Sequence, residues 1–150
     1  MAWTNIHVQR MFETWFEGSS APTNFYYVFA TSATTPTVDT SALSTLTVVP
    51  AGNGWNGSSP LARDGLAISV SANYSSDYGQ ASLSALTLSA TTGIGIPATG
   101  DPLRWLLLCG TPGANGITEV YDYWSLGGNT TIPSGQSFVI SNGALRGSSI

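Results

Sequence analysis

Apolar residues recur at intervals of three and four over residues 5–17, which is the period of an amphipathic α-helix. The stripe consists of Val8, Met11, Phe12, Trp15 and Phe16. Thr4 or Asn5 can cap the helix at its start, and Gly18 follows where a C-terminal glycine is favoured. Because most of these side chains are large, the stripe needs a partner surface, which is either the protein's own sheet or a neighbouring subunit.

The rest of the chain has the short runs and the alternation of β-strands. Residues 25–31 form an uncharged apolar and aromatic run, which indicates a strand buried on both faces. The other predicted strands are 45–50, 66–72, 80–90, 103–109, 117–126 and 137–141. In 80–90 the apolar set changes face midway, which predicts a β-bulge near Ala85. Residues 127–129 read as a turn, and 142–150 as a Gly/Ser-rich tail anchored by Leu145.

This arrangement of elements predicts the fold class. Many short strands at near-regular spacing, with turn residues between them and one leading helix, are typical of an antiparallel β-sandwich or jelly roll. We therefore expect a mainly β, single-domain chain over residues 1–150. Its predicted parts are an N-terminal helical arm at 1–20, a β-sandwich at 21–146 and a short tail at 147–150.

Composition and charge narrow the classes of function. Charged residues make up 8% of the chain and lysine is absent, whereas soluble domains typically have about 25% charged residues. The four arginines are scattered and the net charge is -4, so we expect no binding to nucleic acid. Such a surface suits a protein packed against copies of itself, as a homodimer or homotrimer. The candidate subunit-interface residues are Trp3, Met11, Phe12, Trp15, Phe16 and Trp55.

The sequence has no features of a secreted or membrane protein. The first residues lack a basic segment followed by an apolar one, so they are not expected to act as a secretory signal. No window approaches the roughly 18 apolar residues that cross a bilayer. We expect a soluble protein that is made in the cytoplasm and has no membrane partner.

No constellation of residues predicts catalysis, a metal site or a cofactor. His7 is the sole histidine, and Cys109, the sole cysteine, reads as a small buried hydrophobe. Glu119 and Asp122 are an odd number of residues apart, which on a regular strand points them to opposite faces and argues against a glycosidase pair. Glycines 52, 54 and 57 fit G-x-G-x-x-G, but no helix is predicted after them.

Two further features have structural interpretations. Alternation places Asp122 beside Val120 and Trp124 on the presumed core face, where a carboxylate needs a partner such as Arg104. Aromatic residues could instead form a sugar-stacking platform, although such residues are more often core or subunit contacts. The residues in question are Trp3, Trp55, Tyr74, Tyr78, Tyr121 and Tyr123.

Three blocks of sequence resemble a known group of proteins. They are the helix followed by the strand at 25–31 and its Thr-Pro loop, the Pro-Ala-Gly-Asn-Gly-Trp segment at 50–55, and the pair of segments at 122–128 and 132–138. Together they are similar to small virion structural proteins of tailed bacteriophages, of the capsid cement or decoration type. The resemblance implies a structural protein on the capsid surface of the virion, with the major capsid protein as its partner. A tail or neck fibre, or a carbohydrate-binding receptor protein of the virion, is the alternative.

Overall fold

The computed structural model describes residues 2–19, 24–50, 68–73, 78–83, 86–89, 101–111, 118–140 and 143–148. Its helix is α1 (Asn5–Phe16), and a 3₁₀ turn covers Leu43–Thr45. Its strands are β1 (Ala2–Trp3), β2 (Asn24–Thr31), β3 (Ile68–Asn73), β4 (Tyr78–Leu83), β5 (Leu86–Ser89), β6 (Leu103–Thr111), β7 (Glu119–Thr130), β8 (Ser137–Ile140) and β9 (Gly143–Ser148).

The largest sheet has four antiparallel strands in the order β1-β7-β6-β2. Its strand β2 is buried on both faces, as the uncharged run predicts, because apolar side chains cover the sheet on each side. One face contributes Tyr27, Phe29, Leu103, Leu106 and Leu108 to a core with Val49 and Ile132. The other contributes Tyr26, Val28, Ala30, Leu107, Cys109 and Val120 to a core with Leu43.

A β-bulge in β7 changes which of its residues share a face. Leu108 pairs with Asp122 whereas Cys109 pairs with Val120, so Tyr121 is the extra residue on β7. Val120 therefore packs in the same core as Tyr123, and Trp124 packs in the opposite one. The predicted alternation, with Val120 and Trp124 on one face, was wrong because it assumed a regular strand. The prediction that Glu119 and Asp122 point to opposite faces, which rested on their odd spacing along a regular strand, fails for the same reason.

A second irregularity lies at the predicted turn 127–129. These residues belong to β7, but they have no pairing partner on β6 and lie as an insertion between the pairs Trp105↔Ser125 and Leu103↔Thr130. Gly127 adopts a φ of 82°, which an L side chain rarely reaches, so this glycine allows the chain to leave and rejoin the ladder. The strand thus continues beyond its predicted end at Leu126.

Two smaller antiparallel sheets differ from what the sequence predicted. Residues 80–90 do not form one bulged strand, since β4 pairs with β3 and β9 whereas β5 pairs with β8. Part of the predicted tail is strand β9, the third strand of the β3-β4-β9 sheet. Predicted strand 45–50 is irregular and reaches the main sheet through one bridge, Ala30↔Val48. The described residues thus contain one N-terminal helix and antiparallel sheets, and their arrangement as a sandwich or jelly roll stays a prediction.

Candidate interaction surface on the N-terminal helix

Thr4 joins the start of α1 to the main sheet. Its buried hydroxyl donates to the carbonyl of Val120 at 2.6 Å and accepts from the backbone N–H of His7 at 3.4 Å. Its own N–H donates to the carbonyl of Tyr121 at 3.2 Å. One residue therefore caps the helix, as predicted, and also holds it to β7.

An ion-pair cluster fastens the middle of α1 to β7. The guanidinium of Arg10 donates to both carboxylate oxygens of Glu119, from Nε at 3.0 Å and from Nη2 at 2.6 Å. Its Nη1 donates to Glu13 at 2.6 Å, and the hydroxyl of Tyr121 donates to Glu119 at 3.0 Å. Burial and the neighbouring Glu119 charge raise the pKa of Tyr121, so its hydroxyl keeps its proton. The bidentate contact between Arg10 and Glu119 fixes the orientation of the helix as well as its distance from β7.

His7 fills the joint between α1, β1 and β7. Its ring stacks on Trp3 with centroids 4.7 Å apart and meets the edge of Tyr121 at 5.8 Å. Its Nδ1 lies 3.1 Å from the carbonyl oxygen of Tyr121, and because a carbonyl only accepts, this contact places the proton on Nδ1. Burial lowers the pKa of His7 below 6.5. The joint is therefore built around a neutral imidazole.

These contacts turn the apolar stripe of α1 away from its own sheet. Phe12, Trp15 and Phe16 are 53%, 72% and 78% exposed, and Val8 is exposed at the same side of the helix. An open groove of about 550 Å³ runs along this side, lined by Val8, Phe12 and Phe16 and, on its other flank, by Asn5, Gln9, Glu13 and Glu17. We call Val8, Phe12, Trp15 and Phe16 the α1 apolar face. The helix does dock on its own sheet, but with its polar side, and its apolar face meets solvent.

The predicted interface residues divide into three groups. Phe12, Trp15 and Phe16 lie together on the α1 apolar face. Trp3 and Met11 are half-buried within the subunit, Trp3 against the ring of His7. Trp55 lies outside the described residues. Sequence reasoning missed the role of Arg10, whose only signal is that it is the helix's one cation and lies off the stripe.

The other candidate residues have structural surroundings. Asp122 is buried and accepts from the N–H of Tyr123 at 2.8 Å. Arg104, its predicted partner, lies instead over the ring of Trp105 at 5.4 Å from the centroid. Cys109 is buried in the core, where burial raises the pKa of its thiol and makes it unreactive. Glu119 is engaged by Arg10.

Across the part of the chain that the structure describes, no group of three or more His, Cys, Asp or Glu side chains is placed to hold a metal ion. In the same residues, no helix is both long and apolar enough to span a membrane. No family model, curated protein or solved structure matches this chain. The surface on α1 is thus the feature of the described residues from which a function can be argued.

Proposed function

We propose that the protein is a structural component of a tailed-phage virion, a capsid cement protein that binds across subunits of the major capsid protein and stabilises the head. The observation that carries the proposal is the α1 apolar face, a set of large aromatic side chains presented to solvent by a helix that ion pairs and a buried cap hold in place. Exposed apolar patches of this kind mark sites of protein association. The sequence blocks that resemble cement proteins support the same role.

The physical basis of cementing is mass action. A protein that binds only the assembled shell shifts the equilibrium towards that state, and repetition over the lattice multiplies a modest contact. A surface with few charges suits such a protein, because burying it against a neighbour desolvates few charged groups. The composition of this chain therefore suits a subunit whose surface is buried in an assembly.

The alternative is a receptor-binding or fibre protein of the virion, for which aromatic side chains would be expected on loops beside carboxylates. In the described residues, the most exposed aromatic side chains, Trp15 and Phe16, stand on a helix. This placement favours cement over sugar binding. Trp55 and Tyr74, which the sugar-binding interpretation also used, lie outside the described residues.

Comparing complete virions with virions that lack the protein distinguishes the cement role from the receptor-binding role. If it is cement, particles without it lose DNA at a lower temperature than complete virions, and adding the purified protein back restores their heat stability. Particles that keep full heat stability but fail to attach to cells would overturn the cement role and favour receptor binding. Counting copies in purified virions adds a second readout, since a capsid protein is present in hundreds of copies and a tail or neck protein in far fewer.

A further inference from the structure

We infer that the α1 apolar face is covered by the same face of a second copy of this chain, with the two helices antiparallel. The inference concerns the purified protein and does not rest on its place in a virion, where the major capsid protein would replace the second copy on this face. It would give a two-fold dimer in which Phe12 meets Phe12 of the other copy near the axis. In that arrangement, Val8 faces Phe16 of the other copy.

The exposed area is sufficient for such a pair. An aromatic side chain can bury roughly 150–250 Å², so Phe12, Trp15 and Phe16, at 53%, 72% and 78% exposure, offer about 400 Å² per copy. With the flanking Val8 and Gln9, a pair would bury about 1,000 Å² in total, which is the lower limit for a specific interface. We therefore expect a dimer that dissociates at micromolar concentrations.

The shape of the face favours antiparallel helices. Side-chain bulk increases along the helix, from Val8 at its start to Trp15 and Phe16 at its end. Parallel helices would bring the bulky ends together and leave a gap at the two copies of Val8. Antiparallel helices place the bulky end of one against the slender end of the other, so that the packing is even along the contact.

Electrostatics agrees with the same orientation. Antiparallel helices align their dipoles favourably, whereas parallel ones do not. Parallel pairing would also bring the exposed Glu17 of one copy beside Glu17 of the other, and the last turn of α1 has no basic residue to offset this repulsion. Glu13 also lies beside this face, but its carboxylate is paired with Arg10 of the same copy, 2.6 Å away, which reduces its repulsion of a second copy.

Sedimentation of the full-length protein tests the pairing. We expect a reversible monomer–dimer equilibrium, and Trp15→Ser should raise its dissociation constant on the order of 30-fold, as expected for loss of a large aromatic side chain from an interface. Val139→Ser is the control, since Val139 is 58% exposed on β8 and is not part of the α1 apolar face. A wild-type protein that stays monomeric to high micromolar concentration would overturn the inference, as would equal effects of the two substitutions.

Cross-linking tests the orientation. The Val8→Cys and Phe16→Cys proteins, one of them carrying a mass tag, are mixed and mildly oxidised. Antiparallel helices predict that the mixed 8–16 product dominates, whereas dominant 8–8 and 16–16 products would overturn that orientation. The buried Cys109 stays out of the reaction.

Discussion

Tyr26 and Tyr27 are neighbours on β2 that pack into opposite cores, and their hydroxyl groups differ in what they contact. The Tyr26 hydroxyl donates to Thr118 Oγ1 at 2.8 Å. The Tyr27 hydroxyl is buried and has no hydrogen-bond partner among the residues that the structure describes. Burial raises the pKa of Tyr27 to about 12, so this group stays neutral. A buried hydroxyl without a partner costs free energy that a hydrogen-bonded one does not.

The same substitution at these two positions should therefore have different effects. Tyr26→Phe is expected to lower the free energy of unfolding by about 1 kcal/mol, since it removes a partly buried hydrogen bond. Tyr27→Phe should leave that free energy unchanged or raise it by up to about 1 kcal/mol, because it removes only an unmet polar group. Urea denaturation of the two variants measures both values. Equal losses would mean that the Tyr27 hydroxyl has a partner in the folded protein.

His7 makes the attachment of the arm sensitive to pH. Its folded pKa lies below the ordinary 6.5, because burial disfavours the charged ring, and we expect burial to outweigh the attraction of Trp3 for an imidazolium. A group with a lowered folded pKa stabilises the protein above its unfolded pKa. This contribution is lost as the pH falls from the unfolded value towards the folded one. Acidification should therefore weaken the joint between α1 and β7.

The prediction is that the free energy of unfolding falls from about pH 7.5 to about pH 5.5, and that His7→Gln flattens this dependence whatever its effect on stability at neutral pH. The comparison with His7→Gln isolates the contribution of the ring from that of other groups. Since His7 is the sole histidine, its ring protons can be followed directly by NMR. Titration at or above 6.5 would contradict the buried, neutral assignment.

At the scale of the helix, two threonines with similar hydroxyl contacts differ in importance. Thr4 donates to a carbonyl of another element and accepts from the first turn of α1. Thr14 donates at 2.8 Å to the carbonyl of Arg10, four residues earlier on the same helix, where the backbone already supplies a hydrogen bond. The first hydroxyl joins two elements, whereas the second adds nothing that the helix lacks.

Thr4→Val should therefore lower the free energy of unfolding by about 2 kcal/mol, because it removes the side-chain cap of the first turn and leaves the buried carbonyl of Val120 short of one donor. Thr14→Val serves as the control and should change it by no more than about 0.5 kcal/mol. Thermal or urea denaturation compares them directly. If Thr4→Val is as mild as Thr14→Val, the cap is not what holds the arm to the sheet.

At the scale of the whole molecule, the features that local sequence determines could be predicted, whereas those that depend on contacts between distant residues could not. The bounds of α1 follow from its period, the cap at Thr4 and Gly18, and the burial of β2 follows from an uncharged run. The bulge at Tyr121 depends on pairing with β6, which no periodicity within β7 records. Periodicity likewise shows which residues of α1 share a face, but not which way that face points. That direction is set by Arg10 and Glu119, 109 residues apart.

The low charge of the chain leads to a prediction about salt. If copies associate through the α1 apolar face, the driving force is burial of apolar surface, which salt does not screen. The ion pair that orients the helix is partly buried, with side chains 26% and 9% exposed, so salt reaches it poorly as well. Raising sodium chloride from about 0.05 M to about 0.5 M should therefore leave the dimer dissociation constant unchanged or slightly lower it.

The sulfate salt sharpens this measurement, because sulfate is excluded from protein surfaces and favours burial. Sodium sulfate at equal ionic strength should tighten the dimer more than sodium chloride does. The Trp15→Ser protein should respond less to sulfate, since its weaker dimer buries less apolar surface. A dissociation constant that instead rises steadily with sodium chloride would mean that charged groups, rather than Phe12, Trp15 and Phe16, supply the attraction between copies.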